Sequence, residues 1–394
     1  MAIDIHTRAV QPPQMDWPQN SAVPPLYQTA AYTYKSLEQV DRIFQGTDDG
    51  YTYTRAGNPT TRAFADLIAS LEEGEQGAIA ASGMGAILVA VLALEESPGP
   101  LLMAREIYGG SLGLVRRVLE PLGYRLVWVD THAPEACLGI MRENPGGVLI
   151  LESISNPLGR VCALDTLIES AHRSGVKVIV DNTFATPYHV RPLRFGADLV
   201  VHSVTKFIAG HSDLILGAIV GKADIMKTVD SLINLMGVTP DPYAAWLGMR
   251  GARTLALRME RASDNAMTLA TVLKDHPALA QVNYPGLTRH PDYNVAKRIL
   301  NGGFGAIFGL SLKGGRTAAE EVIRRLTIVP FVPSLGDVMT TISHPQVASH
   351  RELTQAEQER VAIDPGVLRV SVGIENVRDL IEDFTNALSG LVLG

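Results

Sequence analysis

Cysteine is nearly absent from this chain: Cys137 and Cys162 are the two among 394 residues. They lie far apart without metal-ligand spacing, so the sequence offers neither a disulfide framework nor a zinc cluster. Two structural thiols in a reducing compartment is the plain expectation, and it places the protein in the cytoplasm. Long apolar runs are missing too. The opening stretch "MAIDIHTRAVQPPQMDWPQN" has no apolar signal region, and no uninterrupted apolar segment approaches a membrane span. Positive charge is in deficit. The formal net charge of −7 leaves no basic footprint for nucleic acid. Internal repeats and low-complexity segments are also lacking. What remains is globular composition, 46% hydrophobic and 19% charged, in a chain long enough for two or three domains.

Along the chain, residues 1–57 are rich in Pro, Gln and Tyr and read as an extended arm, with a short helix over 36–46, that packs on a neighbouring subunit. From "NPTTRAFADLIASLEEG" (58–74) the pattern becomes helices alternating with β-branched runs: "GVLILE" (147–152), "VKVIVD" (176–181) and "ADLVVH" (197–202). Between the first two lies "LDTLIESAHRSG" (164–175), a helix with Asp165 as its expected cap and Gly175 at its stop. Strand, helix, strand in succession predicts an α/β fold with a mostly parallel sheet and right-handed crossovers over 58–250. A long amphipathic helix over 253–276 then leads into a smaller C-terminal α+β domain, 251–394, with strands in "AIFGLSL" and "VLRVSVG". The segment "GGFGAIFG" (302–309) imitates a dinucleotide loop, but Phe308 stands where the third glycine belongs, so it reads as a Gly-rich strand.

Ligands of open α/β sheets bind beyond the carboxyl ends of the strands. Each of these strands ends in polar residues: Glu152 and Asn156 in "LESISNP", Asp181 in "VIVDNTF", and Ser203, Thr205 and Lys206 in "VHSVTK". Each alone is explained by turn chemistry or a solvated strand end. Together they bring a carboxylate, an amide and an amine to one edge. The turn Ser82–Gly85 ahead of an apolar helix adds free N–H groups that favour a phosphate, or else marks tight helix packing. An amine for a Schiff base, an acid for a pyridine nitrogen and a phosphate anchor are the needs of pyridoxal 5'-phosphate. His202, His211 and Asp213 are weak metal candidates, and the lysine chemistry accounts for their segment without a metal.

The chain resembles the Cys/Met-metabolism group of fold-type I pyridoxal-phosphate enzymes, which includes cystathionine γ-synthase, cystathionine γ-lyase and methionine γ-lyase. The resemblance runs nearly end to end, through "PPLYQTAAY", "YTYTRAGNPT", "ASGMGAI", "YGGS", "ESISNP", "DNTFATP", "HSVTKFIAGHSD", "RGARTLALRMERASDNA" and "LRVSVGIE". It implies that Lys206 is the Schiff-base lysine, that Ser203, Thr205, Ser82 and the N–H groups of Gly83 and Met84 hold the phosphate, and that Asp181 pairs with the ring nitrogen. It further implies Asn156 beside the ring hydroxyl and Tyr108 stacked on the ring and acting as acid or base. Arg369 would clamp the substrate carboxylate, assisted by Ser334. Tyr53 and Arg55 would reach the phosphate of an adjacent subunit, in a homotetramer built as a dimer of dimers.

The same resemblance leaves the member of the group open. Gly110 stands where methionine γ-lyases commonly carry cysteine. Pro333 replaces an acidic residue of many cystathionine-handling enzymes, and Met339 replaces a frequent glutamate. The leading expectation is γ-elimination from a sulfur-containing L-amino acid, with γ-replacement on an activated homoserine as the alternative. An aminotransferase on the same fold and a non-catalytic binding protein are the remaining readings. The intact lysine, aspartate and arginine argue against the last.

Overall fold

Buried parallel strands read as short continuous apolar runs, and these runs form the strands observed. The computed structural model describes residues 3–11, 13, 17–95, 97–351, 354–360 and 363–391, so parts of the expected arm (1–2, 12 and 14–16) lie outside the described residues. Strands β1 (Gln76–Ala80), β2 (Pro100–Ala104), β3 (Arg125–Val129), β4 (Val148–Glu152), β5 (Lys177–Asp181), β6 (Leu199–Ser203) and β7 (Gly217–Gly221) form one sheet. Their order is β1-β7-β6-β5-β4-β2-β3. The inner pairs are parallel, and β7 alone runs antiparallel to both neighbours, β6 and β1. The turn-rich segment 204–216 between β6 and β7 is too short and irregular for a crossover helix, which fits that reversal.

Side chains alternate between the two faces of the sheet. Ile179, Leu199 and Val201 enter a core shared with the helix Gly83–Leu94, while Val178, Val180 and Val200 enter the opposite core with the helix Pro59–Glu72. The latter helix starts at an Asn58 cap that accepts from the Thr60 N–H, with Pro59 in its first turn. A second, antiparallel sheet of β8 (Leu279–Asn283), β9 (Ile307–Leu312), β10 (Thr341–Ser343) and β11 (Val367–Ser371) has the order β10-β11-β9-β8. The helix Leu255–Leu273 joins the two: Leu255 and Met259 pack in a core of the large sheet, Leu269 and Leu273 in that of the small one. The helix Leu37–Phe44 in the arm buries none of its residues against its own chain, and Leu37 and Phe44 are exposed.

Two local expectations fail. Asp165 does not cap the helix Leu164–Arg173; Ala163 occupies the cap without a side-chain bond. The Asp165 carboxylate accepts from the adjacent Thr166 N–H at 2.9 Å and from Arg298 at 2.9 and 3.2 Å, the latter a bidentate partner that no local pattern announces. The glycine-rich run is not strand from its start. Gly302, Gly303 and Gly305 adopt positive φ, so the chain turns there and β9 begins only at Ile307.

Candidate active site

Parallel pairing delivers the carboxyl ends of β4, β5 and β6 to one edge, where a cavity of about 410 Å³ opens. Glu152 and Asp181, the last residues of β4 and β5, stand opposite each other in register. The odd-numbered residues of β5 and β6 share the face of the helix Gly83–Leu94, and the last of each, Asp181 and Ser203, line the cavity. The even-numbered Asn182 and His202 face the far side, where both donate to the buried Glu72 carboxylate, at 2.8 and 2.6 Å. His211 instead meets the Ala209 carbonyl at 2.7 Å, so the two imidazoles are engaged separately.

Ser82, Gly83, Met84, Tyr108, Asn156, Thr205, Lys206, Ser334 and Arg369 also line the cavity. Ser82 caps the helix Gly83–Leu94 by accepting from the Gly85 N–H at 3.0 Å. The N–H groups of Gly83 and Met84 belong to the first turn and have no acceptor within the helix. A Cβ on Gly83 would stand 2.9 Å from the Ser203 Cβ, so only glycine lets this turn sit against the end of β6. Thr205 exchanges hydrogen bonds with the Leu216 backbone at 3.1 and 3.2 Å, which fixes the turn after β6.

Lys206 projects from that turn and donates to the Ser334 hydroxyl at 3.0 Å. Burial, and secondarily the Arg369 charge, hold its pKa below that of a free lysine. The turn is gripped from behind by the buried Arg258, whose guanidinium donates to the carbonyls of Phe207 and Ile208 at 2.5 and 3.0 Å. Arg369, on β11, donates to Asn156 Oδ1 at 3.0 Å and to the Ser334 carbonyl at 2.9 Å. Its Nε–H is buried without an acceptor. Burial pulls its pKa down to about 10, against the opposing pull of Tyr108 and Glu152.

Asp181 Oδ1 accepts from the Thr183 N–H at 3.0 Å, and Thr183 Oγ1 accepts from the Ser203 N–H at 2.8 Å. Burial raises the Asp181 pKa; hydrogen bonds from Thr183 and the charge of His202 oppose the rise. Glu152 is pushed well above the usual carboxylate range, by burial first and by Asp181 second. The N–H bonds that Glu152 accepts from Tyr108 and Asn156 oppose this rise, and the push it feels from Asp181 marks Asp181 as the anion for a cationic partner.

Tyr53 and Arg55 are not brought to this cavity by their own chain. Arg55 lies 5.8 Å over the Tyr53 ring and donates to Asn234 Oδ1 at 2.7 Å, on the wall of a separate groove. Two further cavity residues, Thr183 and Glu152, carry contacts that sequence reasoning did not assign. Thr183 had a visible signal in "DNT", where an aspartate accepts from the N–H two residues on.

The profile of the family described as "Cys/Met metabolism PLP-dependent enzyme" matches residues 6–389. The chain belongs to that family. An L-methionine gamma-lyase of Fusobacterium nucleatum is 38% identical over 367 residues, 92% of this chain and 92% of that protein. An O-succinylhomoserine sulfhydrylase of Pseudomonas aeruginosa is 35% identical over 385 residues, 98% of this chain and 95% of the other. Among solved structures, cystathionine gamma synthase from Xanthomonas oryzae pv. oryzae, in complex with aminoacrylate and cysteine, superposes with a TM-score of 0.93. It is 34% identical, over 99% of this chain and 98% of that one. Membership makes the protein a pyridoxal-phosphate-dependent enzyme of trans-sulfuration, a carbon–sulfur lyase or a γ-replacing transferase, acting on amino acids.

The site fits that cofactor. A reactive amine, a half-buried carboxylate at the end of β5 and a glycine cradle at a helix N-terminus converge on one cavity of suitable size. No helix among the described residues is long and apolar enough to cross a membrane.

Proposed function

We propose that this enzyme is a γ-lyase of the cystathionine/methionine type, eliminating a sulfur substituent from the γ-carbon of an L-amino acid, with an uncharged thioether such as methionine preferred. The observation that carries this reading is where charge lies around the cavity. Among its described lining residues the charged side chains are Glu152, Asp181, Lys206 and Arg369, all near the strand ends or the carboxylate clamp. Tyr108, Ile215, Pro333, Leu335, Ala348 and Ser349 supply an uncharged remainder. A substituent with its own ammonium and carboxylate would find no charged partner among them, whereas an uncharged thioether needs none. The 38% identity to an L-methionine gamma-lyase supports the same choice.

In this reading Ser82, Gly83, Met84, Ser203 and Thr205 hold the cofactor phosphate, Asp181 the ring nitrogen and Asn156 the ring hydroxyl. Bound pyridoxal phosphate supplies an electron sink for the bond broken at the substrate α-carbon. Arg369, helped by Ser334, grips the α-carboxylate through its idle Nε–H and fixes the Cα–H bond toward Lys206. Lys206 Nζ takes the α-proton, and its burial favours the neutral amine that this step needs. A proton is then lost from the β-carbon, its electron pair forms the Cβ=Cγ bond as the C–S bond breaks, and the Tyr108 hydroxyl gives a proton to the leaving sulfur. Water then releases a 2-oxo acid and ammonia.

γ-Replacement is the second reading, favoured by the sulfhydrylase that matches 98% of the chain and by the synthase fold match. There an incoming thiol adds in place of water. Tyr53 and Arg55, on the outside of their own subunit, serve the neighbour's phosphate within a homotetramer. The two buried free thiols suit a cytoplasmic setting. Product analysis with methionine, cystathionine and O-acylated homoserines, with and without cysteine, separates the readings. A 2-oxo acid and ammonia from methionine alone are expected; turnover only with an added thiol would establish replacement instead.

A further inference from the structure

Glu152 takes no part in the steps above, yet it lines the cavity and is only 6% exposed. A buried carboxylate is tolerated when its lone pairs are used, so its partners indicate its task. Its oxygens take N–H groups from two separate segments: Oε1 from Tyr108 at 2.7 Å and Oε2 from Asn156 at 3.0 Å. Tyr108 caps the short helix Gly109–Leu114 through its carbonyl, which accepts from Ser111 and Leu112, and the Glu152 carboxyl holds its N–H on the other side. From Asn156 the connection continues through Arg369 and Ser334 to Lys206. The acid for the leaving group, the carboxylate clamp and the reactive amine thus belong to one hydrogen-bonded chain. Glu152 joins its first two members.

We propose that Glu152 is a positioning residue that fixes the Tyr108 segment and the Asn156–Arg369 clamp at one separation, so that a substrate gripped by its carboxylate presents its γ-substituent to the Tyr108 hydroxyl. This rests on the roles given above to Tyr108 and Arg369. The chemistry selects a carboxylate of this length. Glutamine offers one acceptor oxygen and would turn an amide donor toward the other N–H. Aspartate keeps both oxygens but withdraws them by one methylene.

The test uses reconstituted holoenzyme carrying Glu152→Gln, Glu152→Asp, Tyr108→Phe, or the Gln and Phe changes together. Binding of glycine, which has no γ-substituent, is followed by the change in cofactor absorbance, and kcat/KM is measured on the sulfur substrate. Leaving a buried N–H without its acceptor predicts a glycine dissociation constant raised about 10- to 100-fold in both Glu152 variants. It also predicts a comparable fall in kcat/KM, to which Tyr108→Phe adds little in the double variant. A purely structural Glu152 would lower the melting temperature, leave glycine binding unchanged and give multiplicative kinetic losses; that pattern overturns the proposal. Should Glu152→Gln not fold, Glu152→Asp decides, since wild-type glycine affinity there also overturns it. Intact turnover in Tyr108→Phe alone would sink the role of Tyr108, and the glycine constant would still judge the link from Glu152 to the clamp.

Discussion

Arg369→Lys should separate substrate affinity from fold stability. Arg369 is 3% exposed, commits two donors to Asn156 Oδ1 and the Ser334 carbonyl, and keeps a third, Nε–H, buried without an acceptor. A desolvated cation with an idle donor is poised for an anion. Lysine is a point charge and cannot satisfy Asn156, Ser334 and both oxygens of a carboxylate together. Loss of one charge-assisted hydrogen bond is worth about 1.5–3 kcal/mol, or about 10- to 150-fold in the dissociation constant of an amino acid. Arg369→Met should lose more affinity, yet its stability should barely move. Removing an unpaired buried charge relieves several kcal/mol of desolvation, while the two stranded acceptors cost about 1–3 kcal/mol each. Spectral titration of the holoenzyme with methionine, and with the corresponding amine lacking the carboxylate, gives the affinities; thermal melting gives the stability. The affinity loss should appear for the amino acid and vanish for the amine. Equal losses for both ligands, or none for either, would refute the clamp.

The remaining expectations concern the lysine, the assembly and acid stability. Purified wild type should be yellow, with a visible band bleached by borohydride and the cofactor then fixed to Lys206; Lys206→Ala should lose the covalent link, and a wild type that stays colourless after reconstitution contradicts the assignment. Mixing inactive Arg55→Ala and Lys206→Ala subunits should restore activity, because half the sites of a mixed dimer carry neither lesion; no recovery despite demonstrated subunit exchange would put Arg55 to work within its own chain. His189, His290 and His350 are buried, with pKa values pulled down to about 4, chiefly by desolvation. The unfolded chain, with histidines near 6.5, therefore binds more protons between pH 6.5 and 4, and stability falls as pH drops through that window, by about 3 kcal/mol per histidine. His189→Gln should flatten the pH profile of urea unfolding in that range relative to wild type; parallel profiles would count against a neutral buried His189.

The strand ends were legible because a strand buried on both faces is a β-branched run, and its first polar letter marks where it emerges. That placed Asp181 and Ser203 at one edge, while the face they share followed only once the pairing of β5 and β6 was known. The partners of Glu152 were not legible, since both are backbone N–H groups, which no residue letter encodes. Likewise nothing local in "LDTLIES" announces Arg298, the distant partner that takes Asp165 from the cap. The glycines at 302, 303 and 305 could equally have been strand or turn, and only their positive φ values decide for the turn. The direction of β7 was hidden for a different reason: parallel and antiparallel strands share one side-chain period, and the irregular connection before it carries no helix signal.

The helix Leu255–Leu273 lends one end to each hydrophobic core, and from its first turns Arg258 reaches the backbone behind Lys206. A strut owned jointly by two cores does not let either dissolve alone: melting the small sheet strips the far end of the helix, and fraying helix then releases the guanidinium from the lysine turn. Heat should accordingly melt both sheets in one calorimetric endotherm rather than in two separate ones. Cofactor release and loss of secondary structure should then share one midpoint.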